Sequence, residues 1–434
     1  MKRALLILTA FATVTASAQN KEIDAAKKKL EKLEASIAKK PTAANYIEMS
    51  NALVALSNGY TSKLIAGFPV DQTIASMGQP QSIEENLRYG NETYNKYVYP
   101  DFDLYVDPAS SDVQFWVPNK SADPKALNKA YEALLKAKQL DAKEFSAKGF
   151  IPTGNLANQF QSNGMAHFGL LQHAKAAENF EKAVEAMALV NQADTLMMYY
   201  AGIEYIESEN YSKAIPLLKQ AIENEYKANG YVYYYMSYAQ EMDGDKQAAI
   251  ATLEEAQAKF PENDAVLAQL ANLYMQTDKD SQATIALLQK AQAIDPTNAS
   301  FYLTESSLWD KIGEEDKAEE ALMKAYEINP NSFNTLFNIG IIRSRKGNAL
   351  VEKANKLDIN DVENYNALVE KSYPYFEGSI EMLEKAHQLD GMHLPTAQIL
   401  RELYYSKRNM EDTPEIEAKY KYYEELVNEL TKVQ

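Results

Sequence analysis

Small residues recur along this chain at intervals close to thirty-four. Gly164, Gly202, Ser237, Ala271, Ser306 and Gly340 are separated by 38, 35, 34, 35 and 34 positions. Five times a second pattern follows: an alanine (threonine in one unit), a bulky residue four later, and an alanine three after that. The sets are Ala176, Phe180, Ala183; Ala214, Leu218, Ala221; Ala249, Leu253, Ala256; Thr284, Leu288, Ala291; and Ala318, Leu322, Ala325. Pro261, Pro296 and Pro330 close three successive units, where proline ends one helix and redirects the chain. Spacings of three and four put such residues on one helical face. Small residues let two antiparallel helices approach closely, and the bulky residue is expected to fill the gap between units. A helix pair of this kind cannot bury its apolar face alone, so neighbours must stack into a continuous core.

This pattern resembles the tetratricopeptide repeat (TPR) family, whose 34-residue signature has a small residue at position eight and alanines at twenty and twenty-seven. The resemblance is clear over residues 157–332. It implies an all-α fold, a TPR-type α-solenoid of stacked antiparallel helix pairs. Pro216 breaks the local rule: it lies inside a helix that starts after the expected cap Asn210, and there it removes a helical hydrogen bond.

Two units are interrupted. After Gly340 the second-helix match, Ser379, Leu383, Ala386, arrives 27 residues late. The intervening residues 349–373 keep a helical pattern, and the sequence Asp358, Ile359, Asn360, Asp361 supplies a turn. Both helices of this hairpin are expected to overshoot by roughly thirteen residues, about 20 Å. Earlier, Pro41–Asn58 fits a first helix and Ala130, Leu134, Ala137 fits a second, with an unrelated insert between them. Within the insert, Val70–Met77 reads as a short helix ended by Gly78 and Pro80. Thr93–Tyr99, Phe102–Val106 and Val113–Val117 read as strands, with Val113, Phe115 and Val117 expected on one face. The insert's opening also faintly resembles the small domain of outer-membrane assembly lipoproteins. The expected organisation is an export signal at 1–18, a helical cap and interrupted first repeat at 19–140 with an α+β insert at 66–118, and the repeat array at 141–332. A repeat with the extended hairpin at 333–391 and a capping helix pair at 392–434 complete it.

Lys2 and Arg3 precede an apolar run, Ala4–Val14, and an Ala16, Ser17, Ala18 end. A run of that length is too short to span a bilayer and fits an export signal cleaved after Ala18. The mature chain is expected outside the cytoplasm, most simply in a periplasm, with outer-membrane association as an option and no transmembrane segment. Residues Lys21–Lys40 carry one apolar stripe, Ile23, Ala26, Leu30, Leu33 and Ile37, suited to capping the first repeat.

Zero cysteine excludes disulfides and thiol chemistry. With 44 basic against 61 acidic residues, nucleic acid is not expected as a partner. His167 and His173, like His387 and His393, are six apart, away from the i, i+4 spacing of a metal pair. No nucleophile elbow, phosphate-binding loop or dinucleotide fingerprint occurs. We therefore expect no catalytic residue, no metal and no cofactor.

Binding is the better expectation. The family resemblance implies that positions two, five, nine and twelve of each first helix line a concave groove. Here these are Leu196, Tyr199, Ile203 and Ile206 in one unit and Tyr231, Tyr234, Tyr238 and Glu241 in the next. Tyrosine joins an apolar ring to a hydrogen-bonding tip and favours interfaces. The expected partner-binding set is Tyr199, Ile203, Ile206, Tyr231, Tyr234 and Tyr238, although a tyrosine run from 231 to 235 cannot all face one way. Positions two, five and six carry no cation in six units, which argues against a clamp for chaperone-tail carboxylates. The expected role is a non-enzymatic scaffold for a protein or peptide partner. The competing readings are an envelope-assembly factor acting through the insert and a glycan- or small-molecule-binding protein.

Overall fold

The computed structural model describes the backbone of residues 2–277, 280–411 and 413–433, and the side chains of all of these except 2–20, 409, 410 and 433. The side chains of the expected export signal therefore lie outside the described residues. The chain divides into two compact units, 1–252 and 253–434.

In the first unit, α1 (Lys2–Lys39) buries Ile23, Ala26 and Leu30 and packs on α2 (Ala43–Ser57). The insert follows, with α3 (Val70–Met77), β1 (Ser82–Tyr89), β2 (Glu92–Val98), β3 (Phe102–Val106) and β4 (Val113–Pro118). Beyond it, α4 (Ala126–Leu140) returns to pair with α2, with Ala130, Leu134 and Ala137 fully buried. Then come α5 (Ala142–Lys148), α6 (Phe150–Gly169), α7 (His173–Ala188), α8 (Thr195–Glu207), α9 (Tyr211–Glu223) and α10 (Tyr231–Met242). α11 (Lys246–Lys259) carries the boundary. α9 runs on through Pro216, whose exposed ring leaves the chain path helical, and Asn210 sits at its N-cap without a side-chain bond.

One contact recurs in several helix pairs. A Cβ placed on Gly164 would lie 2.5 Å from the Phe180 ring, and one on Gly202 would lie 2.5 Å from Leu218. The bulky residue thus presses on the small residue of its own pair, and Leu322 and Leu383 also pack on the first helix of the next unit, as the spacing suggested. Several turns share a second device. α6, α7, α8 and α9 each end on a left-handed residue (Leu171, Asn191, Glu209, Glu225), and the next amide reaches back five residues, as Tyr226 N does to Ala221 O at 2.9 Å. That is a Schellman stop without glycine.

The sheet is an antiparallel meander in the order β1-β2-β3-β4. β1 was not expected from sequence; it is exposed along most of its length and held by pairing with β2. One face of the sheet, with Phe102, Leu104, Val106 and Val113, packs on Val70 and Met77 of α3. The alternation expected for β4 fails at Gln114. Tyr105 pairs with Phe115 and Val106 with Val113, so one extra residue bulges out and Phe115 turns to the opposite face. There it stacks on Tyr105 at 4.5 Å and meets Tyr94 edge-on at 5.2 Å. It also seats against Gly169 of α6, where a Cβ would come within 2.3 Å of the ring. The bulge is what lets one thin sheet bury apolar groups on both sides and dock on the repeat helices.

The second unit contains α12 (Asp264–Gln276), α13 (Ser281–Ile294), α14 (Ala299–Lys311), α15 (Glu315–Ile328), α16 (Phe333–Asn355), α17 (Val362–Leu389), α18 (Leu394–Met410) and α19 (Pro414–Val433). α16 and α17 form the lengthened hairpin. Their base keeps the repeat contact: a Cβ on Gly340 would lie 2.4 Å from Leu383, and Ser379 Oγ donates to Gly340 O at 2.7 Å. Further out, Gly347 meets the Phe376 ring in the same way. Asp358 Oδ1 accepts from Asn360 N at the turn, and Ile359 is 91% exposed at the tip.

Arg343 Nε and Lys346 Nζ of α16 reach Glu319 of α15 at 2.7 and 2.8 Å. Burial pushes the Glu319 carboxyl up, but the two cations outweigh it and hold it below its ordinary value of 4.5. A lowered acid stabilises the fold above its unfolded value, and the contribution is lost as pH falls through the folded one. Glu319→Gln is therefore expected to lower the thermal midpoint at pH 7, by an amount set by about 2 kcal/mol. It should also flatten the acid limb of the midpoint curve below pH 4.5. Parallel acid limbs for the two proteins would disprove the assignment.

Candidate functional site

Asp194 caps α8 by accepting from Met197 N at 3.1 Å. The Schellman stop of α9 then places Tyr226 beside the next first helix, α10, which starts after left-handed Asn229 and Gly230. These local features bring the rings together. Tyr199 lies 5.1 Å from Tyr226, 5.9 Å from Tyr235 and 6.0 Å from Tyr200. Tyr235 meets Tyr234 edge-on at 5.3 Å, and Tyr200 leans on Phe180 at 5.9 Å. The result is one connected aromatic surface running from α8 to α10.

Of the six residues expected to bind a partner, Tyr199 and Tyr234 belong to this surface. Tyr231 borders it, 40% exposed, while Tyr238 and Ile203 are half-buried. Ile206 is only 6% exposed and sits in the core. The core member of the 231–235 run is Tyr233. Three contributors were missed. Tyr200 and Tyr235 occupy position six, and Tyr226 stands in a connection outside the repeat positions.

Burial pushes the Tyr199 phenol well above its usual range, and the neighbouring tyrosines push it further. Burial also raises Tyr226, Tyr234 and Tyr235. The surface therefore presents neutral rings and hydroxyls at any physiological pH, suited to apolar contact and hydrogen bonding but not to binding a carboxylate by charge.

The histidines are engaged separately. His167 Nδ1 lies 2.9 Å from Gln172 Oε1, and His173 Nδ1 lies 2.9 Å from Glu204 Oε2. His387 Nε2 lies 3.1 Å from the Tyr422 hydroxyl, and His393 caps α18 through Thr396. Among the described residues no group of three or more acidic or histidine side chains could hold a metal ion, and no helix is long and apolar enough to cross a membrane.

No family model matches the chain, and no curated protein matches it. Solved structures do. The C-terminal part of a TPR repeat-containing protein from Cytophaga hutchinsonii is 17% identical, covering 62% of this chain and 95% of its own, with a TM-score of 0.45. A TPR repeats protein from Bacteroides fragilis is 20% identical over 58% of this chain and 98% of its own, with a TM-score of 0.28. YrrB, described as a TPR protein with an unusual peptide-binding site, is 19% identical over 48% of this chain and 97% of its own, with a TM-score of 0.35. These likenesses concern the fold alone. The chain's own helix pairs, locked by Gly164 on Phe180, Gly202 on Leu218 and Gly340 on Leu383, have the tetratricopeptide-repeat fold.

Proposed function

We propose that this chain is a non-enzymatic scaffold that holds a protein or peptide partner against the tyrosine surface of α8 and α10. The observation that carries the proposal is the connected run of Tyr200, Tyr199, Tyr235 and Tyr234, each ring part-exposed. Amphipathic aromatics in contact with one another lose little conformational freedom when a partner covers them, which is why they dominate binding energy at interfaces. A net charge of −17 biases the chain against acidic partners. The n-region, apolar run and Ala-x-Ala end at residues 1–18 support extending the proposal to a periplasmic location.

The test is in-cell crosslinking with mass spectrometry, beside a Tyr200→Ala, Tyr231→Ala, Tyr234→Ala variant. Tyr200 and Tyr231 are 38% and 40% exposed, so their truncation leaves the core packed. Removal of anchors of this kind is expected to weaken the complex by about 2 kcal/mol per central residue, roughly thirtyfold each. The partner's crosslinks should then disappear. An unchanged partner list in the variant would end the proposal, and recovery of the chain in the cytoplasmic fraction would end its periplasmic part.

A further inference from the structure

A cavity of about 290 Å3 opens where the sheet docks on the repeat helices, between Gln114 and Trp116 of β4 and Asn158, Gln161, Ser162 and Met165 of α6. Those four α6 residues are positions two, five, six and nine of their first helix. No charged side chain lines the cavity, in a chain whose formal charge is −17. The side-chain amides of Asn158 and Gln161 meet no hydrogen-bond partner among the described residues.

The strand beside the cavity has an uncovered edge. Val113 N donates to Phe68 O at 2.9 Å, and Val113 O accepts from Gly67 N at 2.7 Å, so the edge is covered at its start. Beyond that point the cover stops. The turn bond from Tyr99 N to Phe102 O, 3.0 Å, fixes the alternation along β3. Asp103 and Tyr105 turn their backbone groups towards β4, where their partners are Val117 and Phe115. Trp116, between these two, points its N–H and C=O the other way, along the cavity. Among the described residues no hydrogen bond meets them. An unpaired donor and acceptor on a strand edge form a template for one more strand.

We infer that an extended, uncharged peptide segment adds to β4 at Trp116 and lays one neutral side chain into the cavity against α6. The backbone groups call for a strand, and the free amides of Asn158 and Gln161 complement a neutral polar side chain or peptide group. A charged side chain would be desolvated there without a counter-charge. This site uses α6 and the insert, apart from the tyrosines of α8 and α10, so either can fail without the other.

Trp309→Phe leaves Trp116 as the only tryptophan of the chain and makes its fluorescence the readout. The full chain carrying that change is titrated with pools of end-blocked hexapeptides built from Val, Leu, Thr and Asn. A saturable shift in emission is expected. Affinity should fall about tenfold for the same pools with N-methylated backbones and about tenfold in Gln161→Glu, and should be unchanged in the tyrosine variant above. Should Gln161→Glu melt early, the N-methylated pools still decide. The inference is overturned by silence towards every pool, or by equal binding of N-methylated peptides. It is also overturned by a shift seen only with chitohexaose, which would mark a sugar site, or only with rising protein concentration, which would mark a second copy on the edge.

Discussion

Gly164→Ala is expected to destabilise the α6–α7 pair by about 2–3 kcal/mol, a large loss for one added methyl group. The new Cβ would sit 2.5, 2.6 and 3.1 Å from three atoms of the Phe180 ring, which is itself 1% exposed and has no room to retreat. Two other units carry serine at the same position with leucine sixteen residues on, Ser237 with Leu253 and Ser306 with Leu322. Gly164→Ala combined with Phe180→Leu should therefore recover part of the loss, a coupling that a double-mutant cycle measures directly. Because stacked repeats open locally, hydrogen exchange of α6 and α7 amides is the appropriate readout, beside the thermal midpoint. Additive effects of the two changes would mean that the glycine is not required by this contact.

Glu305→Leu is expected to cost about 3 kcal/mol in the second unit. Glu305 is 7% exposed on α14 and accepts three hydrogen bonds from neutral donors: Gln289 Nε2 at 2.8 Å, Gln292 Nε2 at 2.7 Å and Trp309 Nε1 at 3.0 Å. Leucine fills much of the volume but removes the shared acceptor: exposed Gln289 turns to water, while the half-buried donors of Gln292 and Trp309 are left unsatisfied, and their cost outweighs the gain in apolar burial. Glu305→Gln keeps a carbonyl acceptor and should lose about 1 kcal/mol. Urea unfolding followed by Trp309 emission, in a Trp116→Phe background, measures both. A neutral Glu305→Leu would overturn this account.

The features legible in the sequence were those whose physics is periodic. Close packing of two helices demands a small residue opposite a bulky one, and that demand repeats every turn of the array, so Gly164, Gly202 and Gly340 announce themselves. The delayed match at Ser379, Leu383, Ala386 was readable for the same reason, and the contact of Leu383 on Gly340 shows the same packing at the base of the longer hairpin. What escaped notice lacks periodicity. β1 carries Glu84, Glu85 and Arg88 and buries little, so it offers no alternation, and only its partner β2 defines it. The bulge at Gln114 reverses the faces of β4 without any glycine or proline to mark it. Leu171, Glu209 and Glu225 take left-handed conformations that glycine usually serves, and tertiary packing overrides their preference. Tyr226 joins the candidate site only because one of these turns puts it there, so repeat positions alone could not have found it.

The hairpin of α16 and α17 has a consequence for how length can vary in such a chain. Its base obeys the same packing as the α6–α7 and α8–α9 pairs, and the extra residues lie beyond that base on both helices at once. Shortening each helix by seven residues, about two turns and roughly 10 Å of reach, would keep the facing sides in phase and leave the stack undisturbed. Removing residues from one helix alone would break the match between Gly347 and Phe376. The arm is thus an adjustable ruler, and the distance at which it presents Ile359 can change independently of everything below it.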